Sequence, residues 1–206
     1  MELKPLYEII INMRITDIII HRGNSPIEAI EPLEQVRIYA NAGFKKIEID
    51  IYATSESTYK FCHPLDRDKI NEVHNIDDGF LESVVKQLPE VEWYVDLKCL
   101  DLDEVPVKLL QHLIDVFGNS GIITAAQPEI IQFAHSQKQE TAQYFKDNIS
   151  SKLNYEPNFF VQNESDSNSY LKGKTIVYCL EPKAALNCLD EGFAGAMVDG
   201  DKLIVS

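Results

Sequence analysis

The segment Lys46–Ala53 reads KIEIDIYA and places isoleucine at every second position. Side chains of a β-strand point to opposite faces in turn, so residues two apart share a face. Glu48 and Asp50 therefore lie on one face, and Ile49 lies on the other. This pattern predicts a strand that separates a hydrophobic layer from a pair of carboxylates.

Short β-branched runs alternate with helical patterns along the chain, which favours an α/β fold. Eight predicted strands with mostly helical links predict a (β/α)8 TIM barrel, and a length of about 200 residues makes it a compact one. A doubly wound open sheet stays possible, because periodicity does not separate the two folds. The predicted strands are Thr16–His21, Lys46–Ala53, Thr58–His63, Trp93–Cys99, Gly121–Ala126, Asn158–Gln162, Thr175–Leu180 and Ala194–Val198.

Helix start and stop signals fill most of the links between these strands. Ser25–Glu28 resembles a helix start that Pro32 restarts and Gly43 ends, and a polar loop is expected over residues 163–169. One domain covering residues 1–206 is expected, since domains commonly hold about 100–200 residues. The other predicted helices are Gly79–Leu88, Val105–Phe117, Pro128 to about Asp147, and Pro182–Leu189.

The composition limits the partners and the compartment. The formal net charge is −14, which repels the phosphate backbone and disfavours nucleic-acid binding. No C-x-x-C pair occurs among the four cysteines, so a reducing compartment fits best. The sequence contains neither a signal-peptide pattern nor an apolar run long enough to cross a bilayer, and we expect a cytoplasmic protein. The cysteines are Cys62, Cys99, Cys179 and Cys188.

Polar residues collect near the ends of the predicted strands, which is where TIM barrels carry their sites. Two carboxylates inside a barrel are costly unless a positive charge compensates them. A divalent cation is the simplest compensation, and all-oxygen ligands suit Mg²⁺ or Ca²⁺. The residues concerned are His21, Arg22, Gly23, Glu48, Asp50, His63, Asp96, Lys98 and Asp199.

Each of these pieces alone has an ordinary structural explanation. An Asp-x-Lys pair such as Asp96 and Lys98 is usually a solvated salt bridge, and a lone histidine at a strand end is usually a hydrogen-bonded structural residue. The joint arrangement on four successive predicted strands favours a site. His74, His112 and His135 lie in loop or helical patterns, so they are expected to be structural or exposed.

The arrangement resembles the glycerophosphodiester phosphodiesterase family, which belongs to the phospholipase C-like phosphodiesterase TIM barrels. The family's His-Arg-Gly, Glu-x-Asp and second His are similar to His21–Gly23, Glu48–Asp50 and His63, and its closing Asp is similar to Asp199. Asp96-Leu97-Lys98 looks like the family's acid-x-Lys, in the Asp form of the related sphingomyelinase D branch.

With three departures from the family pattern, the chain resembles a compact, divergent member of that family. The Pro-Glu-Asn-Thr stretch is matched only at Pro26, and Pro64 stands where the family has Asp after the second His. The insertion that usually follows that His, after the third strand, is short or absent. These departures concern glycerol specificity more than the core chemistry.

The resemblance implies metal-dependent hydrolysis of a small-molecule or lipid-derived phosphodiester. Glu48, Asp50 and Asp96 would hold one divalent cation, Mg²⁺ or Ca²⁺. The phosphate would be bound by Arg22 and Lys98. His21 and His63 would form the acid–base pair, and the sequence leaves open which one is the base. It also leaves the oligomeric state open.

Two other functions remain compatible with the sequence. One is a catalytically inactive barrel that binds a phosphorylated ligand. The other is an unrelated aldolase or isomerase in which Lys98 forms a Schiff base. Cys62 adjoins His63, but adjacent residues of a strand face opposite ways, so the two make a poor nucleophile–base pair.

Overall fold

A computed structural model describes residues 2–3, 15–25, 30–144, 156–163 and 169–205. Its strands are β1 (Glu2–Leu3), β2 (Ile18–His21), β3 (Lys46–Ala53), β4 (Thr58–Lys60), β5 (His74–Asn75), β6 (Glu92–Lys98), β7 (Gly121–Ala125), β8 (Glu140–Tyr144), β9 (Phe159–Asn163), β10 (Thr175–Leu180), β11 (Gly195–Asp199) and β12 (Ile204–Val205). Its α-helices are α1 (Pro32–Asn41), α2 (Phe80–Gln87), α3 (Val107–Phe117), α4 (Pro128–Ser136) and α5 (Pro182–Asp190).

Eight parallel strands form a closed barrel. The hydrogen-bonded order is β2-β11-β10-β9-β8-β7-β6-β3, and β2 pairs with β3 to close the ring. Helices occupy links between neighbouring barrel strands, so the predicted (β/α)8 TIM barrel is confirmed and the open sheet is not formed. Among the described helices, none combines the length and apolarity needed to cross a membrane.

The third predicted strand, Thr58–His63, is not a barrel strand. Its first half forms β4, which pairs antiparallel with β3 through Tyr52 and Lys60 and so lies outside the ring as a hairpin. His63 therefore belongs to the connection between the second and third barrel strands, together with β5 and α2. The prediction was wrong because a hairpin strand and a barrel strand have the same local pattern.

A second wrong prediction keeps the number of barrel strands at eight. The helix predicted from Pro128 to about Asp147 ends at Ser136, and Lys138 follows with a φ of 63°. Glu140–Tyr144 then forms the barrel strand β8 between β7 and β9. Its sequence, ETAQY, contains residues that favour helices, and pairing with two neighbouring strands overrides that preference.

The remaining helices lie close to their predicted positions. α1 begins at Pro32, and Gly43 follows its end with a φ of 99°, a conformation that suits glycine. The predicted helix start at Ser25–Glu28 falls, apart from Ser25, outside the described residues, as does most of the predicted polar loop at 163–169. At the end of the described chain, β12 pairs antiparallel with β1.

Two apolar layers lie on the two sides of the barrel wall. The outer layer packs the barrel against the helices and includes Ile49 and Leu97, as their position opposite the acids predicts. The inner layer is a floor within the barrel to which seven strands each contribute a buried residue. These residues are Ile19, Tyr94, Ile122, Ala142, Val161, Ile176 and Met197.

The eighth strand, β3, contributes an acid instead of an apolar residue at this level. Glu48 is the register partner of Tyr94, so its carboxylate lies beside the apolar floor. A second ring of inward positions lies two residues after the floor residues and Glu48, one on each of the eight strands. It carries polar, charged or aromatic side chains. We call it the mouth ring, and it consists of His21, Asp50, Asp96, Thr124, Tyr144, Asn163, Tyr178 and Asp199.

Candidate active site

Three carboxylates from two adjacent strands meet at the mouth ring. Glu48 and Asp50 lie on β3, and Asp96 on β6 is the register partner of Asp50. All three are buried, and each offers an oxygen within 4.8 Å of the oxygens of the other two. The structure thus brings together the three residues that the sequence predicted as metal ligands.

One oxygen of each carboxylate makes no hydrogen bond within the described part of the chain. These atoms are Glu48 Oε1, Asp50 Oδ2 and Asp96 Oδ1. The other oxygen of Glu48 accepts a hydrogen bond from the Arg22 backbone N–H at 2.5 Å. A buried acceptor without a donor costs about 1–3 kcal/mol, more when it is charged. Three clustered carboxylates, each with one oxygen left without a donor, fit a bound cation.

Crowding of these acids changes their protonation. Burial raises the pKa of Glu48 well above its usual value, and the charges of Asp50 and Asp96 raise it further. Burial also raises the pKa of Asp50 to about 7, against the opposing attraction of Lys98. A cation among the three oxygens would reverse this effect, because it stabilises the charged form of each carboxylate.

The Lys98 side chain contacts two of the carboxylates. Its Nζ donates a hydrogen bond to Asp96 Oδ2 at 2.5 Å and lies 3.7 Å from Asp50 Oδ1. Burial lowers the pKa of Lys98, but the charges of Asp96 and Asp50 outweigh burial and raise it overall. The group is therefore an ammonium. When all three acids are ionised, the ammonium leaves two negative charges, the number that one divalent cation neutralises.

Thr124 is a neighbour of this cluster that the sequence did not reveal. It is the register partner of Asp96 on β7, it is fully buried, and its Oγ1 has no hydrogen-bond partner among the described residues. The signal was present in the sequence, because Thr124 is the one polar residue in the predicted buried strand Gly121–Ala126.

His21 is oriented by the acid that closes the barrel. Its Nδ1 lies 2.6 Å from Asp199 Oδ1, at the register position where β2 and β11 pair. A carboxylate can only accept, so Nδ1 carries the hydrogen and Nε2 is the basic nitrogen of the neutral ring. The hydrogen bond from His21 lowers the pKa of Asp199, which keeps that carboxylate charged.

His63 lies beside the ring, on the connection that follows β4. Its Nδ1 accepts a hydrogen bond from the Leu65 backbone N–H at 3.1 Å, which caps the short turn Pro64–Asp66. Burial lowers the pKa of His63 to about 4, and the charges of Arg22 and Lys98 contribute. A neutral ring whose Nδ1 accepts carries its hydrogen on Nε2, so this nitrogen is a donor.

Arg22 spans from the carboxylates to the connection that carries His63. Its φ of 52° is unusual for a side-chain-bearing residue and turns the backbone N–H towards Glu48. Its guanidinium donates to Asp66 Oδ2 at 2.7 Å, while the adjoining Arg22 Nε has no partner among the described residues. Pro64 is the first residue of a turn, and Asp66 supplies a carboxylate two residues later.

The two residues that follow Arg22, Gly23 and Asn24, fix the loop to β3. A Cβ at Gly23 would lie 2.5 Å from Ile47 Cγ2 and 3.0 Å from the Glu48 carbonyl oxygen, so only glycine fits. Asn24 is fully buried and bonds both backbone groups of Asp50: its Nδ2 donates to the carbonyl at 2.8 Å, and its Oδ1 accepts from the N–H at 3.0 Å. Sequence reasoning did not assign Asn24 a role.

Two tyrosines complete the mouth ring on the side away from the connection. The Lys98 Nζ lies 5.1 Å from the centre of the Tyr144 ring, and the Tyr144 and Tyr178 ring centres are 5.8 Å apart. The Tyr178 and His21 ring centres are also 5.8 Å apart. Neither tyrosine was predicted as a site residue, because aromatic residues in strands usually belong to the core.

The other histidines and Cys62 lie outside this cluster. His74 was expected in a polar loop, but it is buried on β5 and stacks on Phe80 with ring centres 3.8 Å apart. His135 is exposed on α4. Burial raises the pKa of the Cys62 thiol to about 11, so it is a poor nucleophile at neutral pH.

The fold is similar to that of known phosphodiesterases. A crystal structure of a glycerophosphodiester phosphodiesterase from Parabacteroides distasonis ATCC 8503 has a TM-score of 0.67 and 13% sequence identity, and the match covers 90% of this chain and 92% of that one. A proposed glycerophosphoryl diester phosphodiesterase from Silicibacter pomeroyi DSS-3 has a TM-score of 0.60 and 10% identity, covering 90% of each chain. No protein-family model and no curated protein matches the sequence. At these identities the likeness shows the fold alone.

Proposed function

We propose that this protein is a metal-dependent phosphodiesterase that hydrolyses a glycerophosphodiester-like substrate. The observation that carries the proposal is the set of three buried carboxylate oxygens without hydrogen-bond partners among the described residues, all from Glu48, Asp50 and Asp96. They lie at the mouth of a barrel whose solved relatives include a glycerophosphodiester phosphodiesterase. One divalent cation, Mg²⁺ or Ca²⁺, is the proposed occupant.

The cluster fits a divalent cation in charge and in ligand type. When bound, the cation supplies positive charge to a phosphoryl oxygen as negative charge develops there. Lys98 fixes Asp96 by a hydrogen bond and leaves the second oxygen of that carboxylate for the cation. The Arg22 N–H does the same for Glu48. The protein thus orients the ligands before the cation binds.

The hydrogen bonds of the two histidines support different roles for them. Asp199 holds the hydrogen of His21 on Nδ1, so we assign His21 Nε2 as the general base that takes a proton from the attacking hydroxyl or water. His63 accepts from Leu65 through Nδ1, so its Nε2–H is the group that donates to the leaving oxygen. Proton transfer from His63 requires its imidazolium form, because a neutral imidazole is a very weak acid. Burial lowers the pKa of His63, and the negative charge of a bound phosphate would oppose this and favour the imidazolium.

Arg22 and Lys98 are proposed to bind the phosphate while keeping their carboxylate partners. Arginine has five N–H donors, and Asp66 engages a terminal nitrogen of Arg22 at 2.7 Å. Asp66 therefore fixes the direction of the guanidinium, which suits a two-pronged contact with phosphate. Lys98 contributes mainly its charge, since two carboxylates already hold its Nζ.

The Schiff-base function that the sequence left open is not favoured by the surroundings of Lys98. A lysine that attacks a carbonyl must lose its proton, and active sites achieve this with apolar or cationic surroundings. Here Asp96 and Asp50 stabilise the ammonium instead. The aldolase function also gives no role to His21 and His63.

Hydrolysis of bis(p-nitrophenyl) phosphate and of glycerophosphodiesters tests the proposal. We expect turnover with added Mg²⁺ or Ca²⁺ that excess EDTA abolishes. Asp96→Asn, His21→Ala and His63→Ala should each lower kcat by about 100-fold or more. Asp103→Asn and His135→Ala change exposed residues of the same types and serve as matched controls.

Three results would contradict the proposal in different ways. Undiminished hydrolysis in EDTA would remove the cation from the mechanism. A cation-induced rise in Tm without turnover of any diester would point to a barrel that binds a phosphorylated ligand without cleaving it. Equal activity of the wild type and both histidine variants would overturn the acid–base assignment.

A further inference from the structure

We propose that Tyr144 and Tyr178 form a subsite for a neutral apolar arm of the substrate. The preferred diester then carries an aromatic or alkyl alcohol on one side of the phosphorus rather than a second polyhydroxy arm. This inference rests on the proposed phosphodiesterase function and specifies its substrate class.

The two rings form an aromatic wall along one side of the mouth ring, from strands β8 and β10, which flank Asn163 on β9. The wall begins at the catalytic base, since Tyr178 packs 5.8 Å from His21 between ring centres. Tyr144 meets Tyr178 edge to face at 5.8 Å, which is a favourable geometry for two aromatic rings. The wall ends at Lys98, whose Nζ is 5.1 Å from the Tyr144 ring centre. A phosphate held at the carboxylates therefore has this wall beside it.

The wall continues the apolar floor of the barrel upward. Both tyrosines are partly buried and pack against the inner layer that contains Ala142, Val161 and Ile176. Their remaining exposed surface is thus the rim of a hydrophobic layer rather than a pair of isolated rings. A flexible polyhydroxy arm would lose hydrogen bonds to water on such a surface, whereas an apolar arm gains by leaving water.

The opposite side of the mouth has a different character. There the connection after β4 presents His63, with the Arg22–Asp66 ion pair close by. Lys69 also pairs with Asp66 at 2.8 Å. The two ester arms of a bound diester would therefore meet unlike surfaces, one aromatic beside His21 and one charged beside His63. This asymmetry favours substrates whose two alcohols differ in polarity.

Lys98 at the end of the wall disfavours a cationic arm. Aromatic rings also attract quaternary ammonium groups, so a choline-like arm is the obvious competitor. The Lys98 ammonium already occupies the position over the Tyr144 ring where a second cation would bind. An uncharged benzyl or alkyl group does not compete for that position.

Three synthetic diesters with the same p-nitrophenolate leaving group test the inference. Their other arm is methyl, benzyl or choline, and kcat/KM is measured for each with the cation that supports activity. We expect the wild type to prefer the benzyl ester over the methyl ester by about 10-fold, the size expected for burying a ring on an aromatic surface. The choline ester should fall well below the benzyl ester.

Variants of Tyr178 separate the ring from its hydroxyl. Tyr178→Ala should lower the benzyl-to-methyl ratio to about 2 or less, because only one ring of the wall remains. Tyr178→Phe keeps the ring and should keep the wild-type ratio, which makes it the matched control. The ratio cancels any general loss of activity or of folded protein, since both substrates are measured on the same sample.

The possible outcomes distinguish this inference from the function on which it rests. A ratio that is the same in wild type and Tyr178→Ala, or a preference for the choline ester, overturns the apolar subsite while leaving phosphodiester hydrolysis standing. Hydrolysis of none of the three esters with either cation overturns the proposed function and the subsite with it.

Discussion

Replacing Asp50 by asparagine should stabilise the cation-free protein and abolish cation binding. Asp50 is buried, and its pKa is raised from 3.8 to about 7 by burial and by the neighbouring Asp96. A carboxyl whose pKa is raised on folding stabilises the protein below its unfolded pKa. That stabilisation is lost as pH rises through the folded pKa, so the loss falls between about pH 4 and pH 7.

The expected size follows from the shift in the pKa. About three pKa units at about 1.4 kcal/mol each give an upper limit of about 4 kcal/mol for the penalty at pH 8. The Asp50→Asn variant loses the attraction between Asp50 and Lys98, and its buried amide needs partners of its own, so we expect about half of that limit. A gain of about 2 kcal/mol corresponds to a rise in Tm of about 4–8 °C for a chain of this size.

Thermal unfolding followed by circular dichroism measures this effect. In EDTA, Asp50→Asn should unfold at a higher temperature than the wild type at pH 8. The difference should shrink at pH 5 and disappear near pH 4. Added Mg²⁺ or Ca²⁺ should raise the Tm of the wild type but not that of the variant. Asp103→Asn removes an exposed carboxylate and should change neither result. The reasoning fails if the Asp50 variant is no more stable than wild type at pH 8, or if the cation still raises its Tm.

Three further changes have defined outcomes. Thr124→Val should weaken cation binding about 10-fold by titration, whereas Thr124→Ser should not, and equal affinities would remove Thr124 from the site. Asn24→Ala should lower the free energy of unfolding, measured by urea denaturation, by about 2–4 kcal/mol, because both backbone groups of Asp50 lose a buried partner. A change below about 0.5 kcal/mol would contradict this. Asp199→Asn should lower kcat about 100-fold with little change in KM. Lys202→Met removes the ion pair between Lys202 and Asp199 and should leave kcat unchanged.

The sequence predicted the parts of the site that depend on local geometry. Alternation along a strand places Glu48 and Asp50 on one face and Ile49 on the other, and the same rule pairs Asp96 with Lys98. The structure bears this out, with Ile49 in the outer apolar layer and the Lys98 Nζ 2.5 Å from Asp96 Oδ2. These relations hold in any strand, whichever strands lie next to it.

The sequence did not predict contributions that arise from neighbouring strands and loops. Thr124 joins the cluster because β7 pairs with β6 in a register that sets it beside Asp96. Asn24 acts through contacts with Asp50, which is 26 positions away in the chain. Asp66 acts through a contact with Arg22, which is 44 positions away. No local pattern encodes such a contact, because it depends on how separate segments pack.

Two strands show the same limit in the fold itself. Local pattern alone placed Thr58–His63 in the barrel and made Glu140–Tyr144 a helix, whereas the first segment begins with the hairpin strand β4 and the second is the barrel strand β8. The sequence by itself determined the strand-and-helix character of the chain, the inward face of each site strand and the chemistry of its acids and histidines. Tertiary structure decided which strands close the ring and which groups orient the site, because strand pairing gains its free energy from partners distant in the chain and can override local preference.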